Sequence, residues 1–126
     1  MPINRRKLSK KQRQEVYDKY HGHCAYCGCI LEYKDMQVDH IESVFTAEYK
    51  GEKVNNDIEN FNPSCRACNF YKGTQSIEQF RKAITTILLP NLKKNFNYRL
   101  AIKYGFVEPK EVRPVRFYFE GMRMEQ

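Results

Sequence analysis

The sequence has no tryptophan, no internal repeat, no low-complexity tract and no apolar run near the length of a membrane span. A spanning helix needs about 20 apolar residues, so none is expected. The opening Met1-Pro2-Ile3-Asn4-Arg5-Arg6-Lys7 lacks the apolar core of a signal peptide. A cytoplasmic protein without a membrane partner is therefore expected. The chain also lacks the means for a full set of disulfides: it has 5 cysteines, an odd number, and a reducing compartment disfavours such bridges. Metal binding becomes the leading explanation for them. Without tryptophan, and with its apolar residues scattered, the chain has a modest core, and its 126 residues are read as one domain.

What is plentiful is positive charge. The net charge is +7, which suits a polyanionic partner because clustered Lys and Arg gain affinity by releasing counterions from phosphates. The distribution is uneven. Arg5, Arg6, Lys7, Lys10, Lys11, Arg13 and Lys19 face only Glu15 and Asp18 in the first stretch, whereas Glu32 to Asn60 is predominantly acidic. An acidic middle between basic flanks fits a metal-bearing centre with phosphate-gripping edges, and equally a set of solvated faces.

Ser9-Lys10-Lys11-Gln12 has the pattern of a capping box, Val16 and Tyr20 lie one helical turn apart, and Gly22 offers a stop; a helix from about Lys10 to His21 follows. The runs Ile30 to Tyr33 and Met36 to Ile41 read as a hairpin, and Glu42 to Glu59 as a long surface loop. A short helix is expected to end at Gly73. Another, capped at Ser76 with Ile77, Phe80, Ile84 and Leu88 on one face, is expected to be closed by Pro90. Leu92 to Tyr104 reads as a further helix, and Val115 to Glu120 as a terminal strand.

The strongest signal is the matched pair Cys24-x-x-Cys27 and Cys65-x-x-Cys68. A two-residue gap lets both thiolates of a knuckle turn toward one tetrahedral ion, and two knuckles complete a four-thiolate site. Soft thiolate ligands favour zinc, whose binding contributes on the order of 10 kcal/mol to folding in small zinc domains. Cys29 is a competing ligand or a small packed residue, and is left outside the site.

Between the knuckles lie Val38-Asp39-His40-Ile41 and Asn60, and the second knuckle continues as Cys68-Asn69-x-x-Lys72-Gly73. This combination resembles the HNH endonucleases, in the branch whose ββα-metal core is bracketed by two Cys-x-x-Cys knuckles. The resemblance covers about residues 10–73 and implies an α+β, treble-clef-like core with a structural four-cysteine zinc site. The N-terminal helix leads into that core, and residues 74–126 are a C-terminal extension of helices and a strand.

By position, the resemblance assigns Asp39 and Asn69 as ligands of one catalytic Mg²⁺ or Mn²⁺ and His40 as the general base. Asn60 becomes the residue that orients the base and braces the loop; it stands eight intervening residues before Asn69. The residue types suit the chemistry. A phosphodiester is a polyanion, so its hydrolysis needs charge relief on oxygen and a deprotonated nucleophile. An imidazole with an unperturbed pKa of about 6.5 takes a proton from water near neutral pH. One difficulty is built in: strand alternation sends Asp39 and His40 to opposite faces. The proline that often follows the Asp-His-Ile motif is absent, and Asn55-Asn56-Asp57 replaces the usual Gly-Gly ahead of Asn60.

Lys72, Arg66 and Arg13 are candidate phosphate contacts or solvated charges. His23 is a phosphate contact, a substitute ligand or an ordinary exposed histidine; Tyr26 and Tyr71 either stack on bases or pack around the knuckles. Two functions follow: an endonuclease acting on double-stranded DNA, or a non-catalytic zinc module that binds nucleic acid within a larger complex.

Overall fold

A computed structural model describes residues 8–53 and 55–124; Arg5, Arg6 and Lys7 of the basic first stretch lie outside them. Two compact units emerge, one running to Ile77 and resumed from Phe117, the other comprising Glu78–Arg116. Among the described residues no helix is long and apolar enough to cross a membrane.

The first unit begins with helix α1, Lys10–Asp18. Its start is set by local chemistry: the Ser9 hydroxyl accepts from the Gln12 amide, and the Gln12 side chain accepts from the Ser9 amide, so two otherwise orphan donors are satisfied. The helix stops three residues earlier than expected, and a turn through His21 and Gly22, both at positive φ, delivers the chain to the first knuckle. Val16 and Tyr20 are buried.

Strand β1, Gln37–His40, forms as expected, but its partner is different. It pairs antiparallel with β2, Phe61–Ser64, in the register Asp39 opposite Asn62 and His40 opposite Phe61. The run from Ile30 makes only an isolated bridge from Ile30 to His23, and Ile30 is 83% exposed. Leu31 is buried, but its amide donates to the Gly22 carbonyl (2.7 Å) and its carbonyl accepts from the Tyr17 hydroxyl (2.7 Å), so the run is committed to the turn after α1 rather than to β1. The segment read as a loop contains a short helix, α2, Val44–Tyr49, whose Ser43 hydroxyl caps the Thr46 amide. Helix α3, Arg66–Lys72, ends at Gly73, whose φ of 54° lies in the left-handed region favouring glycine.

The terminal stretch from Val115 forms no named strand. Phe117 and Phe119 are buried, and helix α7, Tyr118–Met124, begins here, the amides of its first two residues, Tyr118 and Phe119, donating to the carbonyls of Tyr26 (3.0 Å) and Ala25 (2.8 Å). Alternating aromatics here serve a strap across the first knuckle rather than a ladder. Among the described residues, the mixed helices and the two-stranded sheet agree with a small ββα core.

In the second unit, helix α4, Ile77–Ala83, passes through a π-helical stretch, Ile84–Leu88, into α5, Leu89–Lys94. Pro90 therefore does not end the helical path. The Leu89 amide reaches back to the Ile84 carbonyl, and this widened turn accommodates a residue that has no amide proton to give. Asn95 caps α6, Phe96–Lys103, by accepting from the Tyr98 amide.

Candidate active site

The first knuckle closes on itself through two backbone bonds, from Cys24 N to Cys29 O (2.8 Å) and from Gly28 N to Cys24 O (3.0 Å). Gly28 supplies the φ of 81° that this turn needs, and Tyr118 lies so close that a Cβ there would sit 2.8 Å from its ring. Ala25 N donates to Pro63 O (2.8 Å), pinning the knuckle to β2. Around it, Phe117 and Phe119 set their rings edge-on to Tyr26. His23 stacks on Tyr118 at 5.1 Å and its Nδ1 lies 3.2 Å from the Tyr20 carbonyl oxygen, so it has a packing role beside the cluster.

The second knuckle opens α3. Cys65 is the N-cap of that helix, its sulfur accepting from the Cys68 amide at 3.4 Å, while its own amide donates to the Cys24 sulfur at 3.3 Å. The sulfurs of Cys24, Cys27, Cys29 and Cys65 lie within 4.8 Å of one another. A tetrahedral site with metal–sulfur bonds of about 2.3 Å has sulfur–sulfur edges of about 3.8 Å, and Cys27 and Cys65 stand 3.9 Å apart. The cluster can hold a metal ion. Cys68 meets it through Cys24: their side-chain hydrogen bond, opposed by burial, lowers the Cys24 pKa to about 4 and pushes the Cys68 thiol up. Thus Cys29, left outside the site on sequence grounds, stands inside the tight group, and Cys68 borders it.

Asp39 is buried on the inner face of β1. Its Oδ2 accepts from the Tyr26 hydroxyl at 2.5 Å and lies 3.1 Å from Lys72 Nζ; Oδ1 accepts from the same ammonium at 3.3 Å. Burial raises the Asp39 pKa, with the Lys72 charge and the Tyr26 hydroxyl opposing that rise. Tyr26 is itself pushed above the usual phenol range by burial and by the Asp39 charge, which keeps it a hydrogen-bond donor. Asn62, wholly buried, donates to the Tyr26 hydroxyl at 3.3 Å and extends the network across the strand pair.

Lys72 is therefore corrected from a phosphate contact to a structural cation: it is 0% exposed, and its Nζ also donates to the His40 carbonyl at 3.1 Å. Arg13 is likewise occupied, its Nη2 donating to the carbonyls of Tyr33 and Met36, both at 2.9 Å, with the guanidinium over the Tyr33 ring. That leaves Arg66, exposed on the first turn of α3, as the one of the three without such a commitment.

His40 ends β1 with its ring edge-on to Phe61, the centroids 4.9 Å apart and the planes at 81°. Its Nε2 is buried. Asn60 sits just before β2 and gives both Nδ2 protons to the loop, to the carbonyls of Glu42 (3.1 Å) and Asn55 (2.9 Å), while its Oδ1 accepts from the Glu42 amide at 2.8 Å. It ties the two ends of the segment that follows His40. Asn69, half-buried, stands one helical turn before Lys72 on the same side of α3.

Sequence reasoning missed the Tyr26–Asp39–Lys72–Asn62 network. It also missed Lys19, whose Nζ donates to the Phe61 carbonyl at 2.7 Å. No spacing announces these groups, because each depends on knowing that residues 61–64 are the partner of β1.

The comparisons accord with this geometry. The family described as HNH endonuclease matches residues 24–75. YoqL, an SPbeta prophage-derived protein of Bacillus subtilis (strain 168) whose name marks it as a candidate HNH endonuclease, is 31% identical over 77 residues. That alignment covers 58% of this chain and 33% of YoqL, so the chain spans about a third of that relative's length. The matched stretch runs from the first knuckle cysteine through Lys72 and Gly73, and it takes in the strand pair, Asn60 and α3. Over residues 24–75, less than half of its length, the chain is similar to the HNH endonucleases.

Proposed function

We propose that this chain is a metal-dependent endonuclease that hydrolyses phosphodiester bonds in double-stranded DNA, with His40 as general base and a structural zinc on the cysteine cluster. Asp39 and Asn69 hold one catalytic Mg²⁺ or Mn²⁺. The observation that carries the reading is the clasp between β1 and α3: Lys72 Nζ meets both the Asp39 carboxylate and the His40 carbonyl. The helical face that supplies Lys72 also supplies Asn69 one turn earlier.

The residues fit a hard cation. Asp39 Oδ2 takes two partners, whereas Oδ1 takes Lys72 alone at 3.3 Å and keeps a lone pair for a cation. Asn69 adds a carbonyl oxygen without adding charge. When bound, the cation offsets charge on the phosphate and on the departing 3′-oxygen. His40 accepts the proton from water, with Phe61 limiting the rotation of its ring. Asn60 holds the segment after His40 in one course. Arg66 and the exposed lysines of α1 track neighbouring phosphates.

A second reading, a non-catalytic zinc module binding nucleic acid within a larger complex, draws on one specific observation. The Asp39 carboxylate is buried and already balanced by an ammonium, which is also what a purely structural aspartate would show. A nicking assay on supercoiled plasmid with Mg²⁺ or Mn²⁺ separates the two. Cleavage by the parent and its loss in His40→Ala, with melting curves showing both folded, supports the enzyme. Equal cleavage by both removes His40 from its role, and DNA binding without cleavage selects the module.

A further inference from the structure

Five sulfurs converge on a site that a tetrahedral ion fills with four. The expected set takes two from each Cys-x-x-Cys knuckle, yet the sulfurs mutually within 4.8 Å are those of Cys24, Cys27, Cys29 and Cys65. The arrangement has a local cause. Gly28, in the left-handed region and shielded by Tyr118, reverses the chain directly after Cys27, and the Cys24 amide fastens to the Cys29 carbonyl at 2.8 Å. The reversal carries the third sulfur of the knuckle back toward the first two. Cys68 lies on the first turn of α3, where its amide donates to the Cys65 sulfur at 3.4 Å and its own sulfur meets Cys24.

We infer that Cys29 is a working ligand of the structural metal, sharing the fourth position with Cys68 while Cys24, Cys27 and Cys65 remain fixed. The inference rests on the metal-binding reading of the cysteine cluster and is independent of any nuclease activity. It predicts two populations of the same fold: one in which the second knuckle gives both thiolates, and one in which the first knuckle gives three and Cys65 completes the set. In the second, α3 is tethered to the ion by its N-cap residue alone, and Cys68 is released as a thiol. The shared position also gives the fold a reserve, since loss of Cys68 leaves four sulfurs in place.

Two measurements on the full chain test this. In the first, the parent, Cys68→Ser, Cys29→Ser and the double variant are loaded with Co²⁺, and the visible spectrum reports how many sulfurs are bound. Both single variants are expected to retain one ion per chain with a four-thiolate spectrum, and the double variant to lose the ion or show three sulfurs. A three-sulfur spectrum in Cys68→Ser, with Cys29→Ser unchanged from the parent, overturns the inference. The second measurement needs no variant that must fold. The parent is loaded with Zn²⁺ and treated with a thiol-alkylating reagent, and the modification of each cysteine is followed by mass spectrometry with and without a chelator. Because Cys29 is exposed, the reagent reaches a free thiol there, and its rate without zinc is the reference for its protection. Zinc is expected to slow both Cys29 and Cys68, each less than Cys24, Cys27 and Cys65. Modification of Cys29 at the same rate with and without zinc, while the other four are protected, sinks the shared position and leaves the metal site standing. A parent that binds neither Zn²⁺ nor Co²⁺ overturns the cluster reading and this inference together.

Discussion

Replacing Lys72 with Met gives the sharpest test of how β1 and α3 are joined. The ammonium is fully buried, 3.1 Å from Asp39 Oδ2, 3.3 Å from Oδ1 and 3.1 Å from the His40 carbonyl. Lys72→Met keeps most of the aliphatic stem and removes the charge. The Asp39 carboxylate is then left buried with the Tyr26 hydroxyl donating to Oδ2, and Oδ1 loses its ammonium. Breaking a buried ion pair by removing one partner costs about 3–5 kcal/mol, against about 0–1 kcal/mol for an exposed pair. Set against a typical total stability of about 5–15 kcal/mol, this is a large fraction. Urea denaturation followed by circular dichroism, at one fixed excess of Zn²⁺ so that metal linkage cancels, measures the loss. The double variant Asp39→Asn/Lys72→Met removes the stranded charge as well, and is expected to recover much of the stability lost by Lys72→Met alone. A loss below about 1 kcal/mol for Lys72→Met is what a solvated, phosphate-gripping lysine gives. That result, or a double variant no more stable than the single one, refutes the clasp.

Cys65→Ser is expected to lower the melting temperature more than His40→Ala, because Cys65 belongs to the cluster that can hold a metal and is also the N-cap of α3; equal melting temperatures count against a structural metal. Tyr26→Phe strips one donor from Asp39 and the acceptor from Asn62, at a cost of about 1–3 kcal/mol; an unchanged urea midpoint contradicts it. Asn60→Ala orphans the Glu42 amide and two carbonyls and costs a similar amount, about 1–3 kcal/mol, with faster hydrogen exchange at the Glu42 amide as its signature. Gly28→Ala forces a Cβ against Tyr118 at a φ of 81° and is expected to loosen the aromatic strap, read as weaker protection of the Tyr118 and Phe119 amides; unchanged protection means that the strap does not depend on this contact.

What could be read from the sequence was whatever local chemistry decides. The capping box at Ser9 and Gln12, and the stop of α3 at Gly73, need only residues within one turn, and both stand where the pattern put them. The partner of β1 could not be read that way. Phe61-Asn62-Pro63-Ser64 is buried at every position, so it shows no alternation, and its proline argues against a strand. The true pairing spans more than twenty residues and is fixed by Asn60 at the start of β2 and by Lys19 and the first knuckle, both distant in sequence from β2. At the C-terminus the alternation of Phe117 and Phe119 is real and both are buried, but a run this short cannot distinguish a strand in a ladder from the start of a helix whose first amides bond to a knuckle. Of the candidate site, residue types were legible and commitments were not: Asp39 and Lys72 stood out, while their mutual neutralisation depends on α3 folding across β1.

The opposite facing of Asp39 and His40, a difficulty when the strand is taken alone, becomes part of how the site is built. In the register of the strand pair, Asp39 shares its face with Asn62 and is sealed by Tyr26 and Lys72, while His40 shares the other with Phe61. One side of β1 is therefore a fixed anchor and the other carries the imidazole. Lys72 bridges them by holding the Asp39 side chain and the His40 backbone with one ammonium. Since α3 takes its start from Cys65, and Cys65 stands 3.9 Å from Cys27, the course of that helix is set at the cysteine cluster and delivered seven residues later at Lys72. A metal held by the cluster would therefore brace α3 and, through Lys72, the strand that carries His40.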